Sequence, residues 1–208
     1  MKRMSSILVR LRRYAVDMLA DCRGIAATEF AVIVPIMLVM FFGTVEFSSG
    51  VAVDRKVTLV ARTLSDLTSQ SASTVDDTYL QNVFTASIAI LTPYSPTPVK
   101  ATISEIYVNS SKVAKIQWSR AATIASGASQ ATLATSSRNA GDTVTLPPGL
   151  LIPQTYLIFS EVSYLYTPTV GYVMAKAGVT LSDVAYTRPR QVTCGIYNNV
   201  PVSPCPTT

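Results

Sequence analysis

There is no histidine among the 208 residues, which removes the commonest general base, the usual zinc ligand and every His-dependent catalytic triad in one step. Charge is scarce as well. Only 14% of residues are charged against 49% hydrophobic, a balance unusual for a wholly soluble domain and natural where one segment lives in lipid. A dispersed basic surface is also missing. Lys2, Arg3, Arg10, Arg12, Arg13 and Arg23 crowd into residues 1–24 with only Asp17 and Asp21 against them, and the rest of the chain holds 11 basic and 10 acidic groups. The net charge of +5 is therefore almost all in the first 24 residues, and no nucleic-acid partner is expected. P-loops, Ser-x-x-Lys, nucleophile elbows and Cys-x-x-Cys pairs do not occur. Tyr172 and Lys176 have the Y-x-x-x-K spacing of short-chain dehydrogenases, but no glycine-rich strand-to-helix turn accompanies them. The expectation is a protein that is not an enzyme and that uses no cofactor or metal.

What the sequence does have is one long apolar run. From Ile25 to Val45 a single charge, Glu29, interrupts 21 residues that as a helix would be about 31 Å long, the thickness of a bilayer's hydrocarbon core. A secretory signal has a shorter apolar region and a small-x-small cleavage site, and here only GVA at 50–52 offers one. With the basic cluster on its N-terminal side, the run is expected to cross the membrane once, leaving residues 1–24 in the cytoplasm and exporting everything after about residue 46. A carboxylate at that depth is costly and is by default functional; the alternative is a polar side chain near enough to the interface to snorkel.

The order of residues around that carboxylate resembles a known family. Gly24 at the membrane face, four small or apolar residues, Glu29 and Phe30 resemble the processing site of type IV prepilins. The fuller pattern of Arg23, Gly24, Glu29, Phe30, Ala31, Pro35, Gly43, Glu46 and Phe47 is similar to the TadE/TadG-like pseudopilins of the tight-adherence (Tad, Flp) pilus. The stretches EVSYLYTP and DVAYTRPR further on also look like that family's tail. The resemblance implies cleavage between Gly24 and Ile25 by a prepilin peptidase, and assembly or recognition roles for Glu29, Phe30 and Pro35. It also implies partners in other Tad pilus subunits, an inner-membrane assembly platform and lipid. Its physical logic is that cleavage frees an ammonium on Ile25, which the Glu29 of a neighbouring subunit could neutralise where water is scarce. A type II secretion pseudopilin would share this chemistry, and a permanently anchored periplasmic binding or enzymatic domain is the reading in which Gly24 and Glu29 are accidental.

Beyond Glu46 the pattern turns amphipathic. Val53, Val57, Val60, Leu64 and Leu67 recur at spacings of four and three, so the helix is expected to continue as an exported stem over 46–69 with this stripe on a sheet. The head, 70–208, is read as a second helix over 75–91 capped by Ser73 or Thr74 and stopped by Pro93. Strands are expected at 99–108, 112–119, 155–166 and 179–187. The fold class is α+β: a long N-terminal helix packed on a small, largely antiparallel sheet of three or four strands, with a second short helix, which is pilin-like. Residues 119–141, rich in Ala, Ser, Thr and Gly, are expected to form a mobile loop, and PPGLLIP at 147–153 either a loop tucked on the core or an exposed contact. Cys194 and Cys205 would lie in an oxidising compartment, where either a bridge or two free thiols is possible; pilins of the resembled kind often pin their C-terminal region with such a bridge. Cys22 would leave with the leader.

Overall fold

The computed structural model describes residues 12–14, 16–17, 23–72, 74–168 and 178–198. It divides into two compact units, 1–46 and 47–208. Helix α1, Arg23–Ser69, takes in both the expected span and the expected stem, with Pro35 inside it. In the first unit its side chains are almost all exposed, from Phe30 at 68% through Met37, Met40 and Phe41. Apolar residues on every side leave no polar face for water, so this stretch suits lipid or other helices. It is long and apolar enough to cross a membrane, with a mean hydropathy of 2.2.

The second unit is built on the stem. Val53, Val57, Val60, Ala61 and Leu64 are fully buried, with Leu67 packed at the margin, which is the stripe read from the sequence. After it come β1 (Thr74–Val75), helix α2 (Asp77–Ile88) and a 3₁₀ turn (Ala89–Leu91). The cap of α2 is Asp76, whose side chain accepts the Tyr79 amide at 2.6 Å, in place of Thr74, which pairs in a strand; Ser73 lies outside the described residues. Leu80, Val83, Phe84, Ile88 and Leu91 from this helical run complete the cluster that α1 begins.

A six-stranded sheet lies under the helices: β2 (Val99–Val108), β3 (Ala114–Thr123), β4 (Thr132–Thr135), β5 (Thr143–Val144), β6 (Thr155–Tyr166) and β7 (Val179–Thr187). Its order is β4-β3-β2-β6-β7, with β5 also on β3, and every neighbouring pair is antiparallel. A separate parallel pair joins β1 to β8 (Ile196–Tyr197). Tyr156, Ile158, Val162, Tyr164 and Tyr166 of β6 are buried, with Ser160 among them. That serine is functional in packing: its hydroxyl donates to the Ala61 carbonyl of α1 at 2.6 Å, while Ser65 of α1 donates to Thr187 of β7 at 2.8 Å. Small hydroxylated side chains thus fasten helix to sheet where larger ones would hold them apart.

Two expectations need correction. The sheet has six strands where three or four were expected, because residues 119–141 are not a structureless loop and Thr143–Val144 adds a further short strand on β3. β3 runs on to Thr123 and β4 pairs with it, while Ala131, fully buried, exchanges hydrogen bonds with α2 through Gln81 Nε2 (2.9 Å) and Thr85 Oγ1 (3.0 Å). Hydrogen bonding and close packing of alanine do there what large side chains do elsewhere. The 147–153 stretch resolves toward the tucked alternative, with Leu150 and Leu151 packed on a second apolar cluster formed by Ile106, Ile116, Leu157 and Phe159 on the opposite face of the sheet.

Candidate functional site

In the first unit, α1 carries Gly24, Ile25, Glu29, Phe30 and Pro35 on consecutive turns. Gly24 is exposed, and a Cβ built there would meet nothing within 4 Å, so the fold of this chain does not require glycine at that position. Glu29 and Phe30 are exposed too; Glu29 lines a shallow notch with Thr28, Val32 and Ile33. Pro35 has no amide hydrogen to give the helix ladder, yet α1 continues through it, leaving one carbonyl a turn earlier for another partner. The side chains of Glu29, Phe30 and Pro35 are not used to build a core.

The second unit holds a cluster that the sequence reading missed. Residues 188–198 cross the end of the helix layer as a strap. At its start the Arg190 amide donates to the Ser69 carbonyl at 2.9 Å and its guanidinium pairs with Asp66, so a cation arrives at the C-terminal end of α1, whose own last turn has none. At its far end β8 pairs with β1, and the Asn198 amide donates to the Val75 carbonyl at 2.9 Å. Between them Gly195 is held on both sides. Its amide donates to Glu105 Oε1 at 2.5 Å, and its carbonyl accepts the Trp118 indole N–H at 3.2 Å. The same indole donates to Glu105 Oε2 at 3.0 Å. Tyr197 stacks on Trp118 with ring centres 5.4 Å apart, donates its hydroxyl hydrogen to Asp77 and accepts from Arg120, which lies over its ring.

Glu105 is fully buried, on the face of β2 that Ala101 and Ile103 turn to the core. Burial pushes its carboxyl up to about 7, against the opposing pull of the Gly195 amide and the Trp118 indole. Tyr156, close by on β6, is raised to about 12, first by burial and then by the neighbouring Tyr107 and Glu105. The sequence shows a carboxylate in the inward register of VKATISEIYV; its place opposite Trp118 appears only once the strands pair.

Cys194, next to Gly195, is buried and disulfide-bonded. Cys205 and Cys22 lie outside the described residues, as do Tyr172 and Lys176, so the pairing of Cys194 with Cys205 stands as the sequence expectation. Among the described residues no group of three or more His, Cys, Asp or Glu could hold a metal ion.

Against known families, residues 24–65 match the model described as TadE-like protein. The match opens on Gly24 and closes within α1, at the turn where Leu64 and Ser65 meet the core. No curated protein and no solved structure matches the chain.

Proposed function

We propose, on the premise that residues 24–65 are a TadE-like segment, that this chain takes part in the Tad pilus system as a minor pilin or pseudopilin. In this reading a prepilin peptidase cuts after Gly24 on the cytoplasmic side. The mature chain waits in the inner membrane as a single-pass protein, its head in the periplasm, and then joins other pilus subunits on the assembly platform. Surface adherence is the downstream consequence. The observation that carries the reading is the placement of Gly24 and Glu29: both are exposed, Glu29 is the single charge between residues 25 and 45, and both lie in the matched segment with no role in the chain's own core. Residues of that kind are retained for something outside the chain.

The chemistry follows from charge and solvent. After cleavage the Ile25 nitrogen becomes an ammonium at the start of an apolar helix. Alone in lipid it would be costly, as would Glu29; paired between adjacent copies, each removes the other's cost and sets the axial offset of one helix against the next. The test is N-terminal sequencing of the protein extracted from membranes of a peptidase-competent host. A chain beginning at Ile25 is expected, and Gly24→Phe should abolish it while membrane insertion persists. An intact Met1 in the unmodified protein would favour a permanently anchored periplasmic domain.

A further inference from the structure

β7 is the long edge of the sheet. β6 lies on one side of it, and among the described residues no strand pairs with the other. Its 9 residues keep register with β6 without a bulge and include neither proline nor lysine, the usual guards of an exposed edge, whereas β4 at the opposite edge is only 4 residues long. One amide fixes the phase of the ladder. Val184 N–H donates to Asp183 Oδ1 at 2.8 Å, so it is not spent on Glu161 across the pair. Antiparallel partners alternate between exchanging both backbone bonds and exchanging none, and so Thr180, Ser182, Val184 and Tyr186 turn their backbone groups outward.

That outer side opens on a cleft of about 580 Å³ between α1 and β7, lined by Arg62, Thr63, Asp66 and residues 184–187. Its charges differ in what they already hold. Asp66 is taken by Arg190, but Arg62 is exposed and has no ion pair among the described residues. Asp183 shares the helix side of the sheet with Leu181 and Ala185, and its carboxylate accepts from the outward Val184 amide of its own chain.

We propose that the outer side of β7 receives an extended segment of another protein, added antiparallel to it, with a basic residue opposite Asp183 and an acidic residue opposite Ala185, beside Arg62. The guest takes over the Val184 amide and so releases the Asp183 carboxylate to pair with the guest's cation. Antiparallel addition continues the order of the whole sheet, and the guest then reads acidic-x-basic from its N-terminal side. A second copy of β7 is a poor occupant. The register that pairs all of the outward residues sets Asp183 directly against Asp183 of that copy, and like charges so placed repel. The surface requires nothing of the pilus reading, because it lies in the second unit alone.

The test titrates the full chain in detergent micelles, up to millimolar concentration, with the blocked peptide Ser-Thr-Glu-Val-Lys-Thr-Leu-Thr, whose glutamate falls opposite Ala185 and whose lysine falls opposite Asp183. Amide shifts of the chain are read by NMR. Saturable shifts are expected at Thr180, Ser182, Val184 and Tyr186, with the amides of β2 unmoved. Exchanging glutamate and lysine in the peptide turns two attractions into two repulsions and should weaken binding at least about fivefold. Asp183→Lys should cancel that preference. Val184→Pro removes an outward donor that β6 does not use and should abolish binding while the β6 pairing persists. No saturable shift on β7, equal affinity for the two peptides, or a preference that survives in Asp183→Lys overturns the proposal. So does self-association of the chain through β7 that the peptide merely displaces, which would make a second copy the occupant.

Discussion

Lys56 occupies the stem between Arg55 and Val57, yet its ammonium is spent on another element: it donates to the Ile90 and Thr92 carbonyls at 2.8 and 2.7 Å. Those carbonyls belong to the end of the α2 and 3₁₀ run, where orphan acceptors and the negative end of the helix dipole gather. A cation from α1 therefore does for α2 what its own last turn, which has no basic residue, does not. Lys56→Met keeps the apolar stem of the side chain and removes only the donors. The cost should be about 1 kcal/mol, below the roughly 1.5–3 kcal/mol of hydrogen bonds to charged groups because the Thr92 contact is open to water. A lower urea midpoint with an unchanged slope would establish it; no change in midpoint would mean that water replaces the lysine fully.

At the scale of elements, α1 is asked to do two kinds of work, and Glu29 separates them. If Glu29 pairs with a neighbour's Ile25 ammonium, Glu29→Val should leave cleavage after Gly24 intact and reduce recovery of the subunit in sheared pili, because valine is a better lipid residue and a worse partner. Normal recovery in pili would leave Glu29 as an interfacial side chain only. The elements that were legible beforehand are those whose burial is periodic. The four-three stripe gave the stem of α1, and β2, β6 and β7 fall on the residues that alternation and β-branched or aromatic content marked. β4 was not legible, since its stability comes from backbone pairing with β3 and from a buried alanine between β3 and β4, with few large side chains to announce it. The β1 and β8 pair, two residues long on each side, has no pattern at all in the sequence. The strap cluster was hidden for a related reason: Asp77, Glu105, Trp118, Arg120 and Tyr197 come from four elements, and only the fold brings them together. Gly24 and Glu29, in contrast, are marked by local order along one helix, within the segment that the family match covers.

For the whole molecule, the decisive fact is where the head's core begins. The family match ends at residue 65 and the expected membrane run at 45, but neither boundary separates what folds from what does not. Val53, Val57, Val60, Ala61 and Leu64 lie at 0% exposure in the same cluster as Phe84, Ile103 and Val162, so the stem is a structural layer of the head as much as an extension of the anchor. A fragment of residues 47–208 retains that layer together with the helix-to-sheet hydrogen bonds of Ala61 and Ser65, and drops the exposed hydrocarbon of the first unit. It should be soluble and unfold cooperatively in urea. A fragment of residues 70–208 has the same sheet but exposes the face that Ile103, Ile158 and Val162 turn toward α1; burying several such side chains stabilises by about 1.5–3 kcal/mol each, comparable in sum to the whole stability of a domain this size. That shorter fragment should aggregate or bind a hydrophobic dye without a cooperative transition. Cooperative unfolding by residues 70–208 would show that α1 contributes only anchorage, and would separate the stem from the core it has been assigned to.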